Sequence, residues 1–470
     1  MATTVMPQSI GNPYRNTGIP NIFTWSALFD GLTRIDDQGR VMPWLALTWR
    51  NIDPLTWRIT LRPNVSFSND APLNADAVLN TVAYFQTPEA ARELVAREMS
   101  FIKSARKIDN LTVDLVTDVP APHLPRVLPL MYMVEPAQWQ KLGPEQFAQQ
   151  PIGTGPFALD KPDVRGWKMS AFTKSWRAPK VEKLNWVVAA EAASRVQAVL
   201  ADQADIALNL GPDEVNVIEA GGGKGLHWRN ASVWAIHFHH NKDTPLKDVR
   251  VREALNIAID RKALVQGLLQ GATVEAAQPG SSMAYGFDDT IPLIPYDPAR
   301  AKKLLAEAGY PKGFSFVIQG VVGTGSSDGA VYQKVAQDLA AVGVTMQIRQ
   351  FPVTELMRNA MDGSWNGDGF GLTYSSEPTI DVIRTMQNHS CLWAKPWYCD
   401  QSIMPAIRVA LTTFDEAEGL KARHQVMRHY RNQYVSLFLY ETPRFAGMRA
   451  NVMDFRELHG FINFDQIRLQ

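Results

Sequence analysis

Apolar and polar positions along this chain follow two periods that alternate from one end to the other. Trp57, Ile59 and Leu61 are separated by polar residues, and Leu111, Val113 and Leu115 repeat the pattern, so both segments predict half-buried strands. Between them, Asn74 is placed to cap a helix that buries Val78, Leu79, Val82 and Phe85 at helical spacing. Val196, Val199 and Leu200 form a further helical stripe, followed by a short apolar strand over 206–210.

The pattern is most regular over 245–350. Asp248 predicts the cap of a helix carrying Val251, Leu255 and Ile259, and Asp260 the cap of the next. Asp297 precedes Pro298, a capping carboxylate before a first-turn proline, and the helix they start buries Ala301, Leu304, Leu305 and Ala308 before Gly309 and Pro311 stop it. A strand follows from Phe314 to about Gln319. After it come a Gly/Ser loop, a helix through Val331, Val335 and Leu339, and a strand with Val344, Met346 and Ile348 on one face. Strand–helix–strand order implies parallel pairing, so the fold class is α/β.

Composition narrows the function. The 470 residues suggest roughly three folding units, and 46% apolar against 20% charged residues is a globular balance. Forty-seven basic residues balance 47 acidic ones, which argues against a nucleic-acid binder with its basic field. No apolar run approaches the ~20 residues that cross a bilayer. Met-Ala-Thr-Thr opens the chain without a basic segment leading into an apolar one, so the reading is either a cytoplasmic protein or an exported one whose leader is gone.

Three motifs carry candidate chemistry, each weakly. Gly325-Ser326-Ser327-Asp328-Gly329 matches the Gly-x-Ser-x-Gly of a hydrolase elbow, which would make Ser327 a nucleophile. About eight residues separate it from the end of the expected strand, whereas an elbow turns sharply. His237 and His239 alternate onto one strand face where two imidazoles could share a metal, but no acidic or thiol partner stands at fixed spacing. Neither Gly323-Thr324-Gly325 nor Gly221 to Gly225 completes a nucleotide-binding fingerprint. No spacing demands catalysis, a metal or a cofactor. The two cysteines, Cys391 and Cys399, read equally as a small disulfide loop contributing about 2.5 kcal/mol in the chain-entropy model, or as two unrelated buried thiols.

Several segments together resemble the solute-binding proteins of ABC importers, in the family that carries peptides, nickel and opine-like compounds. They are Leu28-Phe29-Asp30-Gly31-Leu32-Thr33, the run from Thr56 through Phe67 to Val78, Ile152-Gly153-Thr154-Gly155-Pro156-Phe157, and most specifically Leu246 to Arg261, supported by Tyr296-Asp297-Pro298. Asn69-Asp70-Ala71 departs from the family's Asp-Gly turn. The resemblance spans nearly the whole chain. It implies a two-lobed periplasmic-binding-protein clamshell (class II, cluster C) with an extra subdomain inserted in the first lobe. Residues 1–32, 155–235 and 441–470 would form that lobe, 33–154 the insert, and 236–440 the second lobe.

It also implies what the molecule does: a small peptide-like, opine-like or sugar-like solute is captured between the lobes and handed to the permease subunits, with no bond made or broken. A periplasmic monomer without cofactor or nucleic acid is expected, and a lipid anchor is left open. Relatives often pair cysteines at this point of the second lobe, so the resemblance favours a Cys391–Cys399 disulfide. Cleft-lining candidates are Asn21, Phe23 and Trp25 from the first lobe, and Gly323, Thr324, Trp365, Tyr374, Ser375, Ser376 and Glu377 from the second. In the oligopeptide branch an aspartate stands where this chain has Tyr374 and pairs the peptide ammonium group. The arginine that dipeptide binders use near Ala330 is also absent. Stacking on Tyr374 and Trp365, hydrogen bonds from Ser375 and Ser376, or a cation near Glu377 would then replace those contacts.

Overall fold

The computed structural model describes residues 1–470 apart from 8, 17, 19, 20, 164, 165 and 323–326; at 161, 322, 352–354 and 357 it describes the backbone alone. Local signals account for many of its elements. Asn74 caps the helix Ala75–Phe85, its side chain accepting from the Asp76 amide. Asp248 caps Val249–Ile257 and Asp297 caps Pro298–Glu307 in the same way. Gly309, with φ at +96°, ends the latter in a conformation that L side chains rarely adopt. Three expectations shift. Leu200 is exposed on its helix Ala192–Leu200, the strand expected over 206–210 shortens to Ile206–Ala207, and the strand from Phe314 runs on to Val322.

Eight strands form one sheet across the molecule: β1 (Ala2–Thr3), β2 (Val187–Val188), β3 (Ile206–Ala207), β4 (Lys224–Phe238), β5 (Phe314–Val322), β6 (Val344–Pro352), β7 (Gly369–Ser375) and β8 (Ser436–Met448). Their order in the sheet is β2-β1-β3-β8-β4-β7-β5-β6. The β5–helix–β6 unit is parallel throughout, from Phe314 beside Val344 onward, as its sequence order requires. Two long strands, β4 and β8, run antiparallel through both lobes. Lys224 to Arg229 pair with Met448 to Pro443, the register breaks, and pairing resumes at Val233 with Glu441. That break puts extra residues of β4, Asn230 to Ser232, opposite Thr442, a bulge where the chain passes from one lobe to the other.

Each lobe has its own apolar core. One is built from residues between Ala231 and Tyr440, joined by Ile35. The other draws on residues from Met1 to Leu208 and returns for Ala446 to Ile467, so the four-stranded sheet of the 46–117 region shares a core with the first helix. A small third cluster holds Val196, Val199 and Ile218 against Phe445.

The diagnostic motifs turn out to be scaffolding. Asp30, fully buried, accepts from the Trp44 and Trp176 indoles (2.7 and 3.1 Å), the Thr154 hydroxyl (2.9 Å) and the Arg177 guanidinium (2.8 Å). The glycines on either side of Thr154 let backbone meet backbone: a Cβ at Gly153 would lie 2.1 Å from the Leu28 carbonyl oxygen. Arg252 spends its guanidinium on the Gln433, Tyr434, Leu246 and Lys247 carbonyls. Arg261 binds the Phe438 carbonyl at 2.6 Å and the Asn256 side chain at 2.9 Å. These contacts hold the second lobe around the end of the helix Glu416–Asn432 and the start of β8.

Candidate functional site

Between the two lobes lies a cavity of about 620 Å³, with walls from both. Part of the first-lobe wall comes from the helix Asn21–Leu28. Helical spacing decides which of its side chains reach the cavity. Ile22 and Phe23, though buried, line it, while Trp25, 200° further round than Phe23 and also buried, does not. The Trp25 indole donates to the Ile10 carbonyl oxygen at 3.0 Å, and its ring meets Tyr132. Asn21, half-buried, is not among the lining residues.

In the second lobe, strand alternation does the same sorting. Ser375 lines the cavity and its hydroxyl lies 3.2 Å from that of Ser232 at the bulge. Tyr374 points into the core instead. It is fully buried, its hydroxyl lies 2.8 Å from Ser436 Oγ, and its ring packs on His237 and His389 at 4.7 and 4.4 Å. Burial pushes its phenol well above the ordinary tyrosine value. Ser376 is buried as well, tied by its amide to the Ala231 carbonyl oxygen. Trp365 and Glu377 line the cavity; Gly323 and Thr324 lie outside the described residues.

The cavity has further walls that the sequence did not single out: Trp228 and Arg444 in the first lobe, and Arg384, His389, Trp393 and Trp397 in the second. Trp393 and Trp397 stand inside the loop closed by the Cys391–Cys399 disulfide. Only the cysteine pair flagged that segment in the sequence.

Three charged residues in the walls, Arg384, Arg444 and Glu377, are committed to partners across the cleft or behind it. Arg384 binds Glu98 through two hydrogen bonds of 3.0 and 2.6 Å and donates to the Ser375 carbonyl oxygen at 3.0 Å. Arg444 is clasped by Glu377 of the second lobe on one side and by Glu457 (2.7 Å) of the first on the other. The Trp228 indole and the Gly460 amide also donate to Glu457. Burial, ahead of the neighbouring charges, holds the Glu377 carboxyl above its usual range. Arg97 rests 4.5 Å from the Trp393 ring centre and donates to Met361 Sδ at 3.1 Å, and Gln270 donates to Asp213 at 2.7 Å. These cross-lobe contacts describe a closed cleft.

The alternative chemistries fare differently. Both nitrogens of His237 are engaged, Nδ1 with Ser436 Oγ at 3.0 Å and Nε2 with the Leu372 carbonyl oxygen at 3.1 Å. His239 is buried against Trp365 and Phe370, and burial drops its pKa to about 3. Among the described residues no group of three or more His, Cys, Asp or Glu side chains could hold a metal ion. Ser327 lines the cavity, but it stands at the N-terminus of the helix Asp328–Ala340, five residues beyond the last residue of β5, in an ordinary right-handed conformation. The tight strand-to-helix elbow of a hydrolase nucleophile is not what this spacing builds.

Among the described residues no helix is long and apolar enough to cross a membrane. The family model of the bacterial extracellular solute-binding proteins, family 5 Middle, matches residues 40–381. The glutathione-binding protein GsiB of Escherichia coli (strain K12) is 28% identical over 331 residues, which are 68% of this chain and 63% of that protein. The match thus spans under two thirds of the curated relative's length. Among solved structures, the dipeptide-binding protein from Pseudoalteromonas sp. SM9913 in complex with Met-Leu superimposes with a TM-score of 0.88 at 19% identity, covering 100% of this chain and 99% of its own. The binding protein AgaA from A. tumefaciens R10, in complex with agropinic acid, does so with a TM-score of 0.82 at 19% identity, covering 99% of each chain. At such identities these likenesses concern the fold.

Proposed function

This chain belongs to the bacterial extracellular solute-binding proteins of family 5, and on that premise we propose that it is the substrate-binding component of an ABC importer. It captures a small peptide-like or opine-like solute between its lobes in the periplasm and delivers it to the membrane permease. The observation that carries this reading is the cavity of about 620 Å³ walled by both lobes. That volume lies within the ~300–1,000 Å³ of small-molecule sites, and a guest touching both walls binds the closed form preferentially. Two long strands whose register breaks at Asn230 to Ser232 and again between Trp234 and Ala235 suit a hinge that rotates the lobes without repacking their cores. The permease then reads the closed shape, and no chemical step is required of the protein.

Within the cavity we assign contacts with the guest to Phe23, Trp365, Ser375 and Glu377, and add Trp228, Arg384, Trp393 and Arg444. Buried Tyr374 acts on the guest only through the wall it supports. Peptide-like and opine-like guests remain the classes of choice because relatives that share the fold are described with a dipeptide, with agropinic acid and with glutathione. Native mass spectrometry of freshly purified protein tests the proposal. A co-purified solute of a few hundred daltons, released on unfolding, is the expected result. Protein that carries nothing and binds no member of a peptide and opine panel would remove the proposal.

A further inference from the structure

Four aromatic side chains of the second lobe converge on one side of the cavity. Trp365 stacks on Phe370 with ring centres 4.4 Å apart and planes 16° apart, and Trp397 meets Phe370 edge-on at 5.7 Å. Trp393 extends this wall; its indole donates to the Ala360 carbonyl oxygen at 2.8 Å. The segment between the helices Val382–Thr385 and Met404–Thr412 contains neither helix nor strand; the Cys391–Cys399 bond closes it into a loop, Trp397 packs on His237, His389 and Phe370, and Trp393 is anchored on Ala360. With the loop untied, its backbone would have more freedom to lose each time a guest ordered the Trp393 side of the wall.

Opposite the wall, the guanidinium of Arg97 reaches across the cleft onto the Trp393 ring, and Phe23 and Trp228 stand in the first-lobe wall. Rings on the loop therefore take part both in lining the cavity and in closing it. The charged groups nearby do not compete for the role of filling this side, since Arg384 and Arg444 are each bound to carboxylates.

Resting on the solute-binding reading above, we infer that the loop closed by Cys391–Cys399 forms a side-chain subsite for a planar or bulky apolar group of the guest, and that the disulfide is a positioning element for that subsite. A guest that carries such a group covers Trp393 and Trp397 and brings Arg97 onto a completed surface. A guest that lacks it leaves the wall bare, so closure follows with lower affinity.

The test uses the full-length protein freed of bound solute, with calorimetric titration of two probes, L-alanyl-L-alanine and L-alanyl-L-phenylalanine. Alanyl-phenylalanine is expected to bind at least about tenfold more tightly, the effect of burying one aromatic side chain. In Trp393→Ala and in the Cys391→Ala/Cys399→Ala double variant that ratio falls toward one. Thermal unfolding of each variant checks that a cooperative fold remains, and the two variants are independent routes to the same readout. Equal affinity for both probes in the unaltered protein overturns the subsite. A ratio that survives in the double variant, with only the unfolding temperature lowered, overturns the positioning role of the disulfide. If neither dipeptide binds but native mass spectrometry finds a retained solute, its composition decides: a ring or branched apolar group supports the subsite and their absence defeats it. If neither probe binds and no solute is retained, the solute-binding reading itself falls, and the inference with it.

Discussion

Replacing Glu377 by glutamine isolates the electrostatic cost of closing the cleft. Glu377 is 6% exposed, gives one carboxylate oxygen to Arg444, and its other oxygen has no protein partner among the described residues. Arg444 already carries Glu457, so one permanent cation faces two buried carboxylates. His459, with Nε2 2.8 Å from the Asp36 carbonyl oxygen, is the remaining titratable neighbour. Burial raises the Glu377 carboxyl above the ordinary glutamate value in this closed form. When the lobes part, water reaches the group and the ordinary value returns. The closed form thus binds the proton more tightly, and each tenfold difference in proton affinity shifts the closed-to-open ratio tenfold, about 1.4 kcal/mol. The sign follows: the proton's help to closure is complete below the ordinary glutamate value and is lost as pH rises through the raised one.

Distances between spin labels on exposed residues of the two lobes, measured on guest-free protein, report that ratio directly. Lowering the pH from about 7.5 to about 5 is expected to increase the closed fraction of the native protein. Glu377→Gln keeps the side-chain shape, leaves Arg444 balanced by Glu457 alone, and is expected to be closed to the same extent at both pH values. A variant with the same pH slope as the native protein, or one that stands more open at neutral pH, refutes the reasoning.

Arg444→Ala removes the cation and strands Glu377 and Glu457 in the interior, so denaturant unfolding is expected to show a loss of about 3–5 kcal/mol. Tyr374→Phe deletes only the hydroxyl that meets Ser436, and is expected to cost about 1 kcal/mol in the same assay while leaving guest affinity unchanged by calorimetry. His239, His240 and His389 are held neutral, each lowered by burial to about 3. The unfolded chain therefore takes up protons first as pH falls below the ordinary histidine value, and stability is expected to decline from there toward pH 3 by up to about 1.4 kcal/mol per pH unit for each group. Urea unfolding across that range checks the slope, and His389→Gln should flatten it.

The elements that the sequence announced are those governed by short-range rules. Asn74, Asp248 and Asp297 each sit one residue before a helix because a side-chain oxygen there satisfies a free backbone amide, a demand visible within four residues. The cavity obeys longer-range rules. Phe23 and Trp25 read alike as aromatic candidates, and only the discovery that 21–28 is a helix separates the one that lines the cavity from the one that packs the core. Tyr374 and Ser375 are split in the same manner by the two faces of a strand whose neighbours, β4 and β5, come from distant parts of the chain. Arg384 and Arg444 gave no signal at all, since Glu98 and Glu377 become their neighbours only when the lobes meet, and Glu457 reaches Arg444 only through the folding of the first lobe. The most recognisable motif, Leu246 to Arg261, anchors the second lobe and contributes no residue to the cavity walls.

The central claim is capture of a guest by rotation of two rigid lobes, and small-angle X-ray scattering tests it most directly. A compact body of 470 residues has a radius of gyration of about 23 Å. Protein stripped of solute is expected to scatter with a larger radius than this, and to contract toward it when guest is returned. An unchanged radius, with and without a bound solute verified by mass, would contradict the account.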